Sequence, residues 1–514
     1  MSEGKAQIEL TPGRRTLASV ALATGTFMQV LDTTIANVSI PTIAGNLGVS
    51  ADQGTWVITS FAVANGIGLP LTGWLMGRYG VVRVFIISVV LFTIASLLCG
   101  MAWSLPSLVA FRVLQGAVSG PMIPGSQALL LMLFPPERKS AALGLWSMTT
   151  LIAPVCGPLL GGLISDNWTW PWIFLINGPV GAFCAFTCWR LLRHADTPTR
   201  KVPVDRMGIV LTVIWIGALQ IVLDKGKDLD WFGSTFIVVL ALVALVGFIA
   251  WLIWELTDKH PIVDLTLFKS RNFALGCIAM TAVYAAFYGN LVLMPLWLQT
   301  QMGYTATWAG LVTAPGGLIA IAITPFASRW VAKGDARHVA TLAYIAFAAS
   351  SLMRAKFNTQ IGPMTLLLPQ LVQGVALSTF FIAMVTLLLD GMPAHRVPAA
   401  SGMSNFLRII GASFGTSLTT TYWDRREVLH QTRLSEATSV FDPGLQQTIG
   451  QLHAAGLSEP AAVGVITREL IAQSYLLAAL DLFWISAWLI LGMLALVWML
   501  PKPQGGKAPV VAAD

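Results

Sequence analysis

The chain has 514 residues, of which 55% are hydrophobic and only 11% charged, with a formal net charge of +7. Soluble domains carry about 25% charged residues, so this composition excludes a set of soluble domains and leaves little chain for an extramembrane enzyme. The excess positive charge lies in short loops between apolar runs, which makes it a signal of membrane topology and not of nucleic-acid binding.

Taken in chain order, apolar runs at 16–40, 54–76, 83–102, 106–133, 140–165, 170–192, 207–224, 233–256, 273–299, 306–330, 338–355, 363–390, 400–422 and 475–499 predict about fourteen membrane helices in an all-α integral membrane protein. The first run follows Lys5, Arg14 and Arg15 like a signal peptide. It contains Asp32 and lacks a small-residue cleavage site, so it reads as an uncleaved first helix. Placing the N-terminus inside puts most loop cations inside, among them Arg78, Arg83, Arg138, Lys139, Arg271 and Lys333, and makes both termini cytoplasmic. Arg354 and Lys356 then read as cations of a short outside loop, leaving Arg112 and Arg408 as the arginines within spans.

The two ends of the chain repeat one another. Arg112, Gln115 and Gly116 of the fourth span line up with Gln370, Gln373 and Gly374 of the twelfth, and Pro70, Arg78 and Arg83 around the second with Pro325, Lys333 and Arg337 around the tenth. The plan is six helices, two inserted helices, then six, with the repeats in parallel orientation about an axis along the membrane normal. The expected units are an N-terminal six-helix bundle over 1–200, an inserted pair over 201–260, and five helices of the C-terminal bundle over 261–423. An outer loop over 424–473 and the last helix and tail over 474–514 complete the chain.

Ionisable groups inside lipid cost roughly 2.5–3.5 kcal/mol by insertion scales, so the few embedded ones are functional candidates. By helical rise Asp32 lies about 25 Å up the first helix and Arg112 roughly 9 Å below the outer start of the fourth, at similar depths. A carboxylate in a dry bundle holds its proton more tightly and a neighbouring guanidinium loosens it, which offers a route to exchanging proton for substrate. A static ion pair, or two residues facing separate polar cavities, are the alternatives. Asp481, near the outer end of the last span, is a further proton-coupling candidate or a solvated helix start. Arg408, with Asn405 beside it, either attracts an acidic lipophilic substrate or snorkels. Asn37, Gln115, Phe27, Tyr284 and Tyr288 are candidates for the substrate pathway. Gly157, Pro158, Gly161 and Gly162 suit close helix approach with a gating consequence, since glycine adds no bulk and proline removes a backbone donor. The cysteines, all inside apolar runs, read as packing residues, and the six histidines lack metal-ligand spacing. No metal or cofactor is expected. With no GxxxxGK[ST] loop, an ion gradient is the default energy source.

These motifs resemble those of the fourteen-span drug/proton antiporters of the major facilitator superfamily. Leu31-Asp32-Thr33-Thr34-Ile35-Ala36-Asn37 with Pro41 is similar to that family's first-helix signature, and Arg112 to Gly116 to the fourth-helix arginine motif. The Gly157 to Gly162 segment is similar to the fifth-helix antiporter motif, and Gly73, Arg78 and Gly80 to the loop motif between helices two and three. Gly77 stands where that loop motif usually has an aspartate, so the charge latch attributed to it is in doubt. The resemblance implies the bacterial inner membrane and a proton-coupled exporter of lipophilic compounds. It also implies a tripartite pump with a periplasmic adaptor and an outer-membrane channel, for which the 424–473 loop is either a docking surface or a solvated connector. A gradient-independent uniporter or importer, a membrane-embedded transferase and a non-transporting receptor are the competing readings.

Overall fold

The computed structural model describes residues 10–135, 138–199, 203–437 and 442–502, and every regular element among them is helical. In the N-terminal part α1 spans Pro12–Leu47, followed by α2 (Trp56–Gly68), α3 (Thr72–Tyr79), α4 (Val81–Gly100), α5 (Leu105–Ser119), α6 (Met122–Leu133), α7 (Lys139–Asn167) and α8 (Asn177–Leu192). Next come α9 (Arg206–Lys225) and α10 (Thr235–Thr257). The C-terminal part has α11 (Arg271–Thr300), α12 (Ala306–Lys333), α13 (Ala336–Arg354), α14 (Pro363–Leu389), α15 (Val397–Ala437), α16 (Pro443–Ala454) and α17 (Glu459–Trp498). The breaks follow the sequence chemistry. Pro70 between α2 and α3 lacks an N–H and crowds the preceding turn, and the two helices meet at 55°.

Among the described residues nine helical stretches are long and apolar enough to cross a membrane, or ten when the bent α2–α3 pair is counted as one. Of the fourteen expected spans, α1, α13 and α15 coincide with long helices that are more polar, and α7 with a long helix in which several residues are not described. The chain is a multi-pass integral membrane protein, and α10 shows why. Phe236, Val239, Leu242, Val246, Ile249 and Ile253 recur every three or four residues on its exposed face, a stripe that only lipid tails would cover without penalty.

The helices pack in the same pattern twice. Within the N-terminal set α1 packs on α7 and α8, α2 on α5, and α4 on α5 and α8. Within the C-terminal set α11 packs on α15 and α17, α12 on α14, and α13 on α14 and α17. These are the equivalent partners when six helices are superposed on six. The sets meet where α7 lies against α12 and where α15 lies against α3 and α6, while α9 and α10 pack on each other beside α2 and α15.

At the end bearing the basic loops, small residues bring the two sets to backbone contact. A Cβ on Gly73 of α3 would lie 2.6 Å from that of Ala399 on α15, one on Gly402 would lie 3.2 Å from the Leu69 carbonyl, and one on Gly144 of α7 would lie 3.1 Å from Ser328 on α12. Gly80 takes a φ of 92°, a left-handed conformation that favours glycine. The Asp196 carboxylate sits against it and accepts the N–H groups of Val82 and Arg83 at the start of α4. Gly77 is exposed, and a Cβ there would meet nothing within 4 Å among the described residues, so the cross-bundle contact here is made by apolar backbone approach at Gly73 and Gly402.

The outer segment, expected as a loop over 424–473, is largely helical. Residues 412–437 contain only Gly415 as a breaker, and α15 runs unbroken to Ala437; α17 begins as early as Glu459. At about 1.5 Å per residue each helix is roughly 60 Å long, twice a hydrocarbon core. The last two spans therefore project beyond the membrane as one antiparallel pair, joined through α16.

Candidate functional site

Five helices converge on Asp32. Its carboxylate on α1 is 1% exposed and receives three donors. Arg112 Nη1 of α5 donates to Oδ2 at 2.5 Å, while Gln115 Nε2 of α5 and Asn177 Nδ2 of α8 donate to Oδ1 at 3.0 Å and 2.9 Å. The guanidinium is held in turn by the Val57 carbonyl of α2 at 3.0 Å and by Gln115 Oε1 at 2.7 Å. The rings of Phe61 and Phe174 cover it at 4.2 Å and 5.4 Å. Asn177 also donates to Ser96 Oγ of α4 at 2.8 Å. The helical spacing of Arg112 and Gln115 puts both on one face of α5, where they grip one carboxylate together. A buried charge survives in such a place only when paired and hydrogen-bonded, and here both charges are.

Asp32 and Arg112 are thus together, as their depths along the helices suggested, and Gln115, a substrate-pathway candidate, joins their network. Asn177 and Ser96 are not among the residues that the sequence singled out. The signal available was a lone amide at the break between Trp172–Leu175 and α8, inside an apolar run.

The glycine motif abuts the same network. A Cβ on Gly157 of α7 would fall 2.0 Å from Thr34 Oγ1, and one on Gly161 would fall 3.0 Å from the Ile35 carbonyl, so α7 rides directly on the turn of α1 that follows Asp32. The side chains of Pro158 and Gly162 lie outside the described residues. Gly157→Ala is expected to cost about 1–3 kcal/mol by overpacking at this crossing. Thermal unfolding in detergent measures it, and an unchanged melting temperature would contradict the close approach.

A second buried cation lies between the helix sets. Arg408 of α15 is 6% exposed, with Nη2 donating to Asn405 Oδ1 at 2.5 Å and Nε without a partner among the described residues. Trp146 of α7, Tyr284 of α11 and Phe381 of α14 surround its guanidinium at 5.7, 5.2 and 5.2 Å. Asn405 donates to Gln127 Oε1 of α6 across the interface at 3.4 Å. Tyr288 lies against Tyr284 with centroids 4.8 Å apart and ring planes tilted by 39°. Phe27 is half-buried on α1, and Asn37 is exposed on α1 outside this cage.

Arg354 corrects its reading as a loop cation. It closes α13, is 2% exposed, and donates through Nη2 to Gln370 Oε1 at 3.1 Å and to Gln373 Oε1. The repeat thus keeps a guanidinium beside its glutamines but supplies it from a neighbouring helix. Asn290 of α11, the helix whose packing partners correspond to those of α1, is hydrogen-bonded with Ser351 and Ser486. Among the described residues neither Arg354 nor Arg408 has a carboxylate partner. Asp481 lies apart from Asp32, on α17, accepting from Arg426 Nε at 2.6 Å and bonded to His430 Nε2 at 2.9 Å.

Twice-repeated membrane helices around a buried, fully bonded ion pair, with a second cation caged between the repeats, are the architecture of a secondary transporter. The comparisons agree with it. The chain belongs to the major facilitator superfamily, whose family description matches residues 22–416. It is 48% identical to the multidrug export protein EmrB of Escherichia coli K12, over 95% of this chain and 96% of that protein. To the fatty acid resistance protein FarB of Neisseria gonorrhoeae it is 44% identical, over 95% and 96%. The crystal structure of the human organic anion transporter MFSD10 aligns with a TM-score of 0.60 at 13% identity, over 95% of this chain and all of that one, a likeness of fold alone.

Proposed function

We propose that the chain is a proton-coupled exporter of lipophilic small molecules, working by alternating access between its two six-helix bundles. It would lie in the bacterial inner membrane with both termini cytoplasmic. The observation that carries this is the single buried carboxylate of the network, Asp32, held by three donors at the crossing of α1, α5 and α8. A proton arriving from outside neutralises it, weakens the hold of Arg112, and loosens the helices that the ion pair ties together. Substrate entering from the other side meets Arg408 with Asn405, Tyr284 and Tyr288, an aromatic and cationic surface between the bundles. The contacts at Gly73, Gly144 and Gly402 must part for that entry, since they close the basic, cytoplasmic end. The name of the multidrug export relative supports the direction of transport and a small-molecule substrate.

The projecting α15–α17 pair, with α16, is the surface for a periplasmic adaptor, through which an outer-membrane channel would complete a tripartite pump. The experiment is to add a lipophilic dye to reconstituted vesicles holding a pH indicator. Dye-dependent proton movement against the direction of the dye is the expected result, and dye flux without proton movement would overturn the reading.

A further inference from the structure

Protonation of Asp32 requires an acceptor, and among the described residues the present arrangement offers none that is free. Its two oxygens receive Arg112, Gln115 and Asn177, all donors, which is the bonding of an ionised carboxylate. A protonated carboxyl carries one O–H. Arg112 has only donors. Gln115 has its Oε1 already engaged by Arg112 Nη1 at 2.7 Å and by Cys99 Sγ at 3.6 Å. The remaining partner is Asn177, whose amide presents either nitrogen or oxygen according to a half-turn about its last bond.

That half-turn has a consequence beyond Asp32. Asn177 Nδ2 also donates to Ser96 Oγ at 2.8 Å, and Ser96 gives its own hydrogen to the Phe174 carbonyl at 2.9 Å. With Oδ1 turned inward, Asn177 accepts the Asp32 O–H and competes for the Ser96 hydroxyl, which then leaves Phe174. Phe174 belongs to the short helix Trp172–Leu175, which joins α8 at Ile176, and its ring also lies over Arg112. We infer that Asn177 is a positioning residue that turns with the protonation state of Asp32 and passes that state through Ser96 to the junction ahead of α8. The inference rests on Asp32 being the proton site proposed above. The charged and titratable groups facing Asp32 are Arg112 from α5 and the Cys99 thiol from α4; α2 and α8 present the Val57 carbonyl, the Phe61 ring and the Asn177 amide.

Infrared difference spectra of the full-length protein in lipid, recorded as a pH titration, test this. The acid C=O stretch of protonated Asp32 is identified by its disappearance in Asp32→Asn. In Asn177→Ala the band should move, and its midpoint should shift about tenfold toward lower proton concentration, because the ionised form loses a charge-assisted donor. Ser96→Ala, which leaves the Asp32 contacts in place, should move the band by less. An Asn177→Ala band and midpoint equal to wild type would overturn the inference. So would an unfolded Asn177→Ala combined with a Ser96→Ala band that has not moved. A wild type showing no such band across the physiological pH range would overturn the proton site itself, and the inference with it.

Discussion

Asp32→Asn is expected to uncouple transport from the proton gradient and to lower the stability of the folded protein together. The asparagine keeps hydrogen-bonding capacity but strands the Arg112 guanidinium, 0% exposed, without its counter-charge. Removing one partner of a buried pair costs about 3–5 kcal/mol, largely the penalty of the charge left behind. Arg112→Gln strands Asp32 in the same way. The double variant removes both charges, so its stability loss should be smaller than the sum of the two. Thermal unfolding of the three variants beside gradient-driven dye transport separates the structural part from the coupling part. A strictly additive double variant would show that the two residues do not act as a pair. If Asp32→Asn coupled normally, the ion pair would be structural and Asp481, with Arg426 and His430, would become the proton site to test.

Gly73→Val is the second large expected effect. A single Cβ there already falls 2.6 Å from the Ala399 Cβ and 2.8 Å from its Cα, so a branched side chain cannot be seated without parting α3 from α15. Overpacking of about 1–3 kcal/mol acts only on the arrangement in which these helices touch, and shifts the population away from it by about 5- to 150-fold. Hydrogen exchange at the start of α15 should rise and transport should fall. Unchanged exchange and full transport would mean that this contact does not hold the basic end closed. Gly77→Asp, by contrast, enters open space and should leave both nearly unchanged.

Much of this was legible in the sequence because membrane physics is severe. Every expected apolar run coincides with a helix or a broken helix pair, since an unpaired backbone has no place in lipid. Asp32 and Arg112 stood out because embedded charge is rare, and helical rise put them at one depth. Asn177, Ser96 and Asn290 did not stand out, because neutral amides and hydroxyls barely disturb an apolar run, although Asn177 bonds the Asp32 carboxylate and Ser96 bonds Asn177. Arg354 was misplaced because a cation at a helix end reads as interfacial; only the fold reveals Gln370 and Gln373 folded over it. The length of the projecting helices was not legible, because polar composition marks departure from lipid and not the end of a helix.

The central claim is that proton binding inside the N-terminal bundle drives substrate across the membrane. Its most direct test is transport of a lipophilic dye by the reconstituted wild type under an imposed pH gradient, with and without collapse of that gradient. Accumulation that follows the sign of the gradient and vanishes on its collapse is the predicted result. Equal flux in both conditions would contradict it.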